Sequence, residues 1–334
     1  MFPVHRLNSP SPHAHETSRR SFLASFSAFA AATCAPATFA DARASTEALE
    51  VPWSAGTETP RTKAPPNTTD CHHHIYDLRF PVDPKAVLKP GNATVADYHL
   101  LEKRIGITRH VIVQPSTYGV DNRCLLDALH QFGLNNTRGV AVVNTAVSDA
   151  ELKHLDAAGV RGIRFNLQQA GATTLDMVEP LAKRIAPLGW HVQVNAAAAQ
   201  IVAAAPLWNR LPVSLVFDHL GHVLDAAADP AFGVIGKLLQ GRKGWVKLSG
   251  IYIDSRIGPP SYADSSVVAK AYVKEASERL VWGTDWPHPT APAKPDDALL
   301  FDLLAQWAPN AATRTRILVD NPAALYSFSD AKRK

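Results

Sequence analysis

Cysteine is scarce in this chain of 334 residues: there are three, at Cys34, Cys71 and Cys124. Cys71 and Cys124 are too few for a disulfide framework and too far apart for a Cys-x-x-Cys metal or redox unit, so both read as small buried hydrophobes. Charge is sparse as well, with 19% charged residues and a formal net charge of +4. No basic run is interleaved with aromatics, so a nucleic-acid partner finds no support, although mild basicity favours an anionic ligand. The long uncharged stretch near the amino terminus is Ala-rich and followed by an acidic residue, a poor membrane anchor, so no membrane span is expected after its removal. What is plentiful is apolar side chain, 46% of residues, enough at this length for one large α/β domain.

Ser18-Arg19-Arg20-Ser21-Phe22-Leu23, followed by uncharged residues to Ala40, resembles a twin-arginine export signal with small residues near Ala40 and Ala42 suited to cleavage. Residues 1–42 are therefore expected to be a signal peptide and the mature protein to be periplasmic. Residues 43–67, rich in Pro, Thr, Ala and Ser and without periodicity, read as a linker into a domain over 68–330.

Within that domain, short apolar runs alternate with stretches that space apolar residues three and four apart, such as Val95 to Arg104, Asn122 to Phe132, Gln200 to Arg210 and Ala298 to Trp307. Eight strands are predicted: Thr69 to Ile75, His110 to Gln114, Val140 to Val143, Gly162 to Phe165, His191 to Val194, Ser214 to Phe217, Val246 to Ser249 and Leu280 to Gly283. Runs such as Val111-Ile112-Val113 suit strands buried on both faces. Eight βα units point to a (β/α)8 TIM barrel, and polar residues at strand ends around the whole series favour closure over an open doubly wound sheet.

On a barrel, chemistry gathers where strands end and βα loops begin. In Asp70-Cys71-His72-His73-His74 the alternation of a strand sends His72 and His74 one way and Cys71 and His73 the other. His219 follows strand six and Asp285 follows strand eight. Ser116 and Tyr118 after strand two, Arg164 and Asn166 at the end of strand four, Tyr252 after strand seven and His288 beyond Asp285 are expected to join them. An ionised Asp285 can take a proton from water while imidazoles His72, His74 and His219 donate to a carbonyl oxygen that becomes negative. Arg164 suits a carboxylate or sulfonate, and Ser116, Tyr118, Tyr252 and His288 supply further donors to substrate.

Five segments in order, Asp70 to His74, Gly159 to Asn166, Phe217-Asp218-His219-Leu220-Gly221, Val281 to Pro289 and Asn321 to Tyr326, resemble the amidohydrolase superfamily, and within it the lactonase branch of pyrone-dicarboxylate and sulfomuconolactone hydrolases. The resemblance implies an amidohydrolase-like barrel, a hydrolase of cyclic carboxylic esters with a role in aromatic compound catabolism, and catalysis by His72, His74, His219 and Asp285 without a cofactor. Metal-dependent members usually add a histidine after strand five or a lysine or glutamate after strand four. Here those strands end in Asn195 and Asn166. One zinc ion on His72, His74 and Asp285, serving a decarboxylase or hydratase, is the alternative. A non-catalytic periplasmic ligand-binding barrel is a third reading. The branch is also expected to carry an arginine shortly after strand four and a tyrosine after strand five. This chain has Leu167-Gln168-Gln169-Ala170 and Asn195 there, so a lactone with fewer or differently placed anionic groups than pyrone dicarboxylate is the expected partner. Nothing in the sequence bears on oligomeric state.

Overall fold

The computed structural model describes residues 50–169 and 171–328. The segment read as a signal peptide, with Cys34, lies outside the described residues. Eight strands are present: β1 Thr69–His73, β2 Arg109–Val113, β3 Thr137–Ala141, β4 Val160–Asn166, β5 His191–Asn195, β6 Leu215–Phe217, β7 Gly244–Leu248 and β8 Leu280–Trp282. Each pairs in parallel with the next, in sequence order. Outward side chains such as Ile112, Ile163, Val192 and Leu215 join the helices in the main core, while Cys71, Val111, Val140, Val216 and Val281 form a second apolar cluster with Trp245, Tyr326 and Phe328. The fold is thus the (β/α)8 barrel expected from the alternation of elements.

The seam between β8 and β1 is closed by the residues that bear the chemistry. Asp285 N–H donates to the His72 carbonyl at 2.7 Å, and His74 N–H donates to the Trp286 carbonyl at 2.8 Å. Buried Asp70 accepts from Thr284 N–H and Oγ1, from the His72 N–H and from the Tyr98 hydroxyl, tying the two strand ends together. A side chain at Gly283 would meet the His72 Cβ at 2.7 Å, so glycine is what lets the strands approach here.

Several local readings are corrected. Cys71 does not face away from His72: it joins the interior cluster, because the β1–β2 register breaks between Asp70 and His73 and the extra residue turns two successive side chains inward. His73 does face outward, stacked on Tyr98 with ring centroids 3.8 Å apart. The third strand starts at Thr137 and stops at Ala141, because the Asn122 side chain takes both backbone groups of Val142. The helix expected over Gln200 to Arg210 divides into Ala198–Ala203 and Ala205–Arg210, where Pro206 opens the second helix. Residues 50–67 carry no helix or strand, yet they are pinned to the barrel. Arg104 donates to the carbonyls of Ala55 and Glu58, Trp286 Nε1 to the Pro52 carbonyl, and Asp302 accepts from the N–H groups of Arg61 and Thr62.

Candidate functional site

The four residues singled out first converge. Asp285 Oδ1 lies 3.5 Å from His72 Nε2, 3.4 Å from His74 Nε2 and 3.9 Å from His219 Nε2. Asp285 Oδ2 accepts from the Tyr252 hydroxyl at 2.6 Å. Burial opposes the charge on Asp285, but the imidazoles of His219, His74 and His72 override it and hold the carboxyl far below the usual carboxylate range. Tyr252 is pushed the other way by burial and by the Asp285 charge, so its hydroxyl stays a donor.

The loops that carry these groups are bent. His219, Leu220, His222, Asp285 and His288 all occupy left-handed backbone, a conformation that costs free energy and persists where packing over-determines it. Gly250 also has positive φ, and a side chain there would strike His219 Nδ1 at 2.4 Å. His219 packs in that space, with Nδ1 3.0 Å from the Ser249 hydroxyl. His74 Nδ1 donates to the Val113 carbonyl at 2.8 Å, which leaves its Nε2 a lone pair unless the ring is an imidazolium.

Beneath this layer is a buried ionic cluster that the residue pattern had not singled out. Asp218 Oδ2 accepts from Arg164 Nε and from Gln193 Nε2, each at 3.1 Å. Lys247 Nζ donates to Gln193 Oε1 at 2.7 Å and lies 3.3 Å from His72 Nδ1. Asp218 Oδ1 is 3.2 Å from the same Nδ1 but has no hydrogen-bond partner of acceptable geometry. Nδ1 thus lies between an ammonium, which can only donate, and a carboxylate oxygen, which can only accept. Burial, with the Lys247 charge beside it, pushes the His72 pKa well below its usual value. Burial also lowers the Lys247 ammonium to about 8, while His72, Lys247 and Arg164 outweigh burial at Asp218 and hold it ionised. The available signal was a lysine inside the strand run Trp245-Val246-Lys247-Leu248, where both faces are buried.

A cavity of about 100 Å³ opens over Asp285, walled by His74, Ser116, Arg164, Asn166, Asn195 and His219. His72 is fully buried and does not line it, but packs against His74 and His219, which do. Ser116 Oγ accepts from Asn166 Nδ2 at 2.9 Å, Asn166 Oδ1 from Asn195 Nδ2 at 3.1 Å, and Asn195 Oδ1 lies 2.7 Å from His222 Nε2. Three residues expected at the substrate stand elsewhere, the first being Tyr252, which does not line this cavity and whose hydroxyl is spent on Asp285. The Tyr118 hydroxyl accepts from the Asp77 N–H and donates to the Asp77 carbonyl, so its hydrogen-bonding capacity goes into holding the loop after β1. His288 is buried, with Nδ1 3.1 Å from the Tyr252 hydroxyl and Nε2 3.0 Å from Asp297 Oδ2, so it supports Tyr252.

The oxygen and nitrogen atoms of His72, His74 and Asp285 lie within 4.8 Å of one another. Separations of 3.4 and 3.5 Å suit ligands bound about 2.0–2.2 Å from one tetrahedral ion. The donor set therefore fits a divalent metal in spacing, with the His72 hydrogen on Nδ1 beside the Asp218 carboxylate.

The amidohydrolase family profile matches residues 69–328. The chain is 36% identical over 289 residues to a 2-pyrone-4,6-dicarboxylate hydrolase of Comamonas testosteroni, covering 82% of this chain and 94% of that protein. It is 32% identical to a 4-sulfomuconolactone hydrolase of Rhizobium radiobacter, covering 78% and 90%. A crystal structure of an Agrobacterium tumefaciens protein superposes with a TM-score of 0.78 at 30% identity, covering 84% of this chain and 99% of that one. With a barrel closed through its own histidine and aspartate loops and a profile match running almost from the first strand to the floor of the barrel, this chain belongs to the amidohydrolase family.

Proposed function

We propose that the protein hydrolyses a small lactone bearing one anionic group, by attack of water and without a metal ion. The observation that carries this reading is the meeting of Asp285 with His74 and His219 on the floor of one polar cavity, with Arg164 in its wall. The substrates named for the curated relatives support the lactone class. Gln168 and Gln169 in the cavity wall, where the branch is expected to have an arginine nearby, support a single anionic group.

In this mechanism Asp285 takes a proton from water as the water oxygen bonds to the carbonyl carbon. The carbonyl electron pair moves onto its oxygen, which His219 and the imidazolium form of His74 hold. Surrounded by imidazoles, Asp285 alone is a weak base. A carbonyl oxygen entering between them draws their hydrogens to itself, and the carboxylate gains basicity as it loses those partners. Collapse of the intermediate breaks the ring C–O bond, and the departing ring oxygen receives the proton from Asp285, which restores the carboxylate. His72 is a positioning residue here: its Nε2 lies 3.5 Å from Asp285 Oδ1, and Asp218 and Lys247 flank its Nδ1.

The spacing of His72, His74 and Asp285 favours a second reading, a mononuclear zinc enzyme of decarboxylase or hydratase type. Held by those three residues, zinc would supply Lewis-acid polarisation of the substrate and acidify a bound water. Elemental analysis of the purified protein, with lactone hydrolysis assayed before and after chelation, separates the two. Activity without stoichiometric metal is expected; stoichiometric zinc with chelator-sensitive activity would replace the first reading by the second.

We also propose that residues 1–42 direct export to the periplasm and that the lactone arises in aromatic compound catabolism. Cell fractionation of the full chain and of an Arg19→Lys, Arg20→Lys variant tests the export, which the paired substitution should abolish.

A further inference from the structure

Beside the catalytic cavity lies a larger chamber of about 620 Å³ that the mechanism leaves unused. Ile253 and Thr290 line both, so the two spaces share a wall. The walls differ in composition. The catalytic cavity mixes Arg164, amides and imidazoles with Leu88, Pro115 and Pro289, whereas the annex is faced chiefly by apolar residues including Pro259, Ala291, Leu299 and Tyr252.

Two charged residues reach the annex, and both are already engaged. Lys294 Nζ donates to the carbonyls of His288 and Ala291 at 2.7 and 2.8 Å, and burial lowers its pKa. Asp296 is paired with Arg104 at 2.6 Å. A ligand group entering there finds mainly apolar contact, beside an ammonium whose hydrogen bonds go to backbone carbonyls and a carboxylate already paired, a setting that favours a neutral hydrocarbon or aryl group. The catalytic cavity holds little more than a lactone ring and its anionic substituent, and the annex is the apolar space that adjoins it.

We propose that the annex is a second substrate subsite, and that the preferred substrates are amphipathic lactones. The ring and its anionic group sit over Asp285, and a neutral aryl or alkyl substituent passes the Ile253–Thr290 edge into the annex. This assignment rests on the lactonase reading and narrows its substrate class. Tyr252 joins the two spaces, since its ring lines the annex and its hydroxyl holds Asp285, so an occupied annex also presses on the group that orients the catalytic carboxylate.

The test compares 2-pyrone-6-carboxylate with its 4-phenyl analogue. Burial of the phenyl group should raise kcat/KM about tenfold or more. Ala291→Phe and, independently, Leu299→Trp should each remove most of that preference, with circular dichroism confirming that both variants fold. An equal kcat/KM for the two lactones, or variants that preserve the preference, would overturn the subsite. Calorimetric titration of the Asp285→Asn protein with the same pair separates this from failure of the lactonase reading. Tighter binding of the phenyl compound, lost on adding Ala291→Phe, supports the subsite even if neither lactone is turned over. Equal binding of the two counts against it.

Discussion

The lower interior of the barrel is filled by Cys71, Val111, Val140, Val216 and Val281, closed off by Trp245, Tyr326 and Phe328. Nearer the carboxyl ends, the same strands and their first loop residues bury His72, Arg164, Gln193, Asp218 and Lys247. Arginines appear below as well, but there the guanidinium groups of Arg109 and Arg138 lie over the Phe328 ring and that of Arg279 over Trp245. Hydrocarbon needs no partner to be buried, whereas buried charges are costly unless each is matched, and an apolar replacement of the whole set is often as stable. The lower half is organised for stability, and the upper half holds the proposed catalytic groups in place at some expense of stability.

The sharpest separation of the two halves is expected at Asp285. Asp285→Asn should lower kcat/KM by about 10²–10⁴-fold, as loss of a general base does, and should also lower the unfolding midpoint while the protein still folds, because the charge that faces three imidazoles is gone. An Asn variant that folds and turns over normally would remove Asp285 from the mechanism.

Asp218→Asn should cost about 3–5 kcal/mol in urea denaturation, because it leaves Lys247 and Arg164 buried beside a neutral partner. Turnover should fall with it, through His72. Phe328→Ala in the lower half should lose stability of the same order, by opening a cavity, yet keep kcat/KM in whatever fraction stays folded. If both variants lost activity in proportion to stability, the division of labour between the halves would be wrong.

Lys247 gives the comparison a pH signature. Its ammonium is depressed from 10.5 to about 8, so between those values the native protein binds fewer protons than the unfolded chain. Stability should therefore rise with pH across that window by roughly 3 kcal/mol from this group, and the penalty should be constant below it. Lys247→Met should remove that part of the slope, measured as denaturation midpoints at successive pH values.

The smallest effect concerns Tyr118. Tyr118→Phe removes two hydrogen bonds to the Asp77 backbone and should cost about 1–2 kcal/mol. With its hydroxyl spent on a loop, kcat/KM should stay within about twofold; a larger loss would return Tyr118 to the substrate.

How much of this was legible follows the range of the interactions involved. The alternation of apolar runs with helical spacing is local, and it located all eight strands to within a few residues. The largest offset is in β3, whose early end follows from the Asn122 side chain, 20 residues from Val142 in sequence, taking both backbone groups of Val142. His72, His74, His219 and Asp285 were legible because strand-end chemistry has a fixed place on a barrel. The roles of Tyr118 and His288 were not, since a tyrosine or histidine in a loop reads alike whether its partner is a substrate or a neighbouring residue. Asp218 could be noticed only as the neighbour of His219, and nothing in the chain announces that it accepts from Arg164 and Gln193.

From sequence alone came the barrel, the four convergent residues, the expectation of an anionic ligand and the family. Those depend on periodicity and on motif order, which survive in one dimension. Three-dimensional packing alone settled that a break in register turns Cys71 inward, that Asp218, Lys247 and His72 meet in one buried cluster, and that a largely apolar chamber adjoins the cavity over Asp285. Each of these depends on which side chains, tens to hundreds of residues apart, are pressed within hydrogen-bond or van der Waals reach, and on the cost of leaving a buried polar atom unmatched.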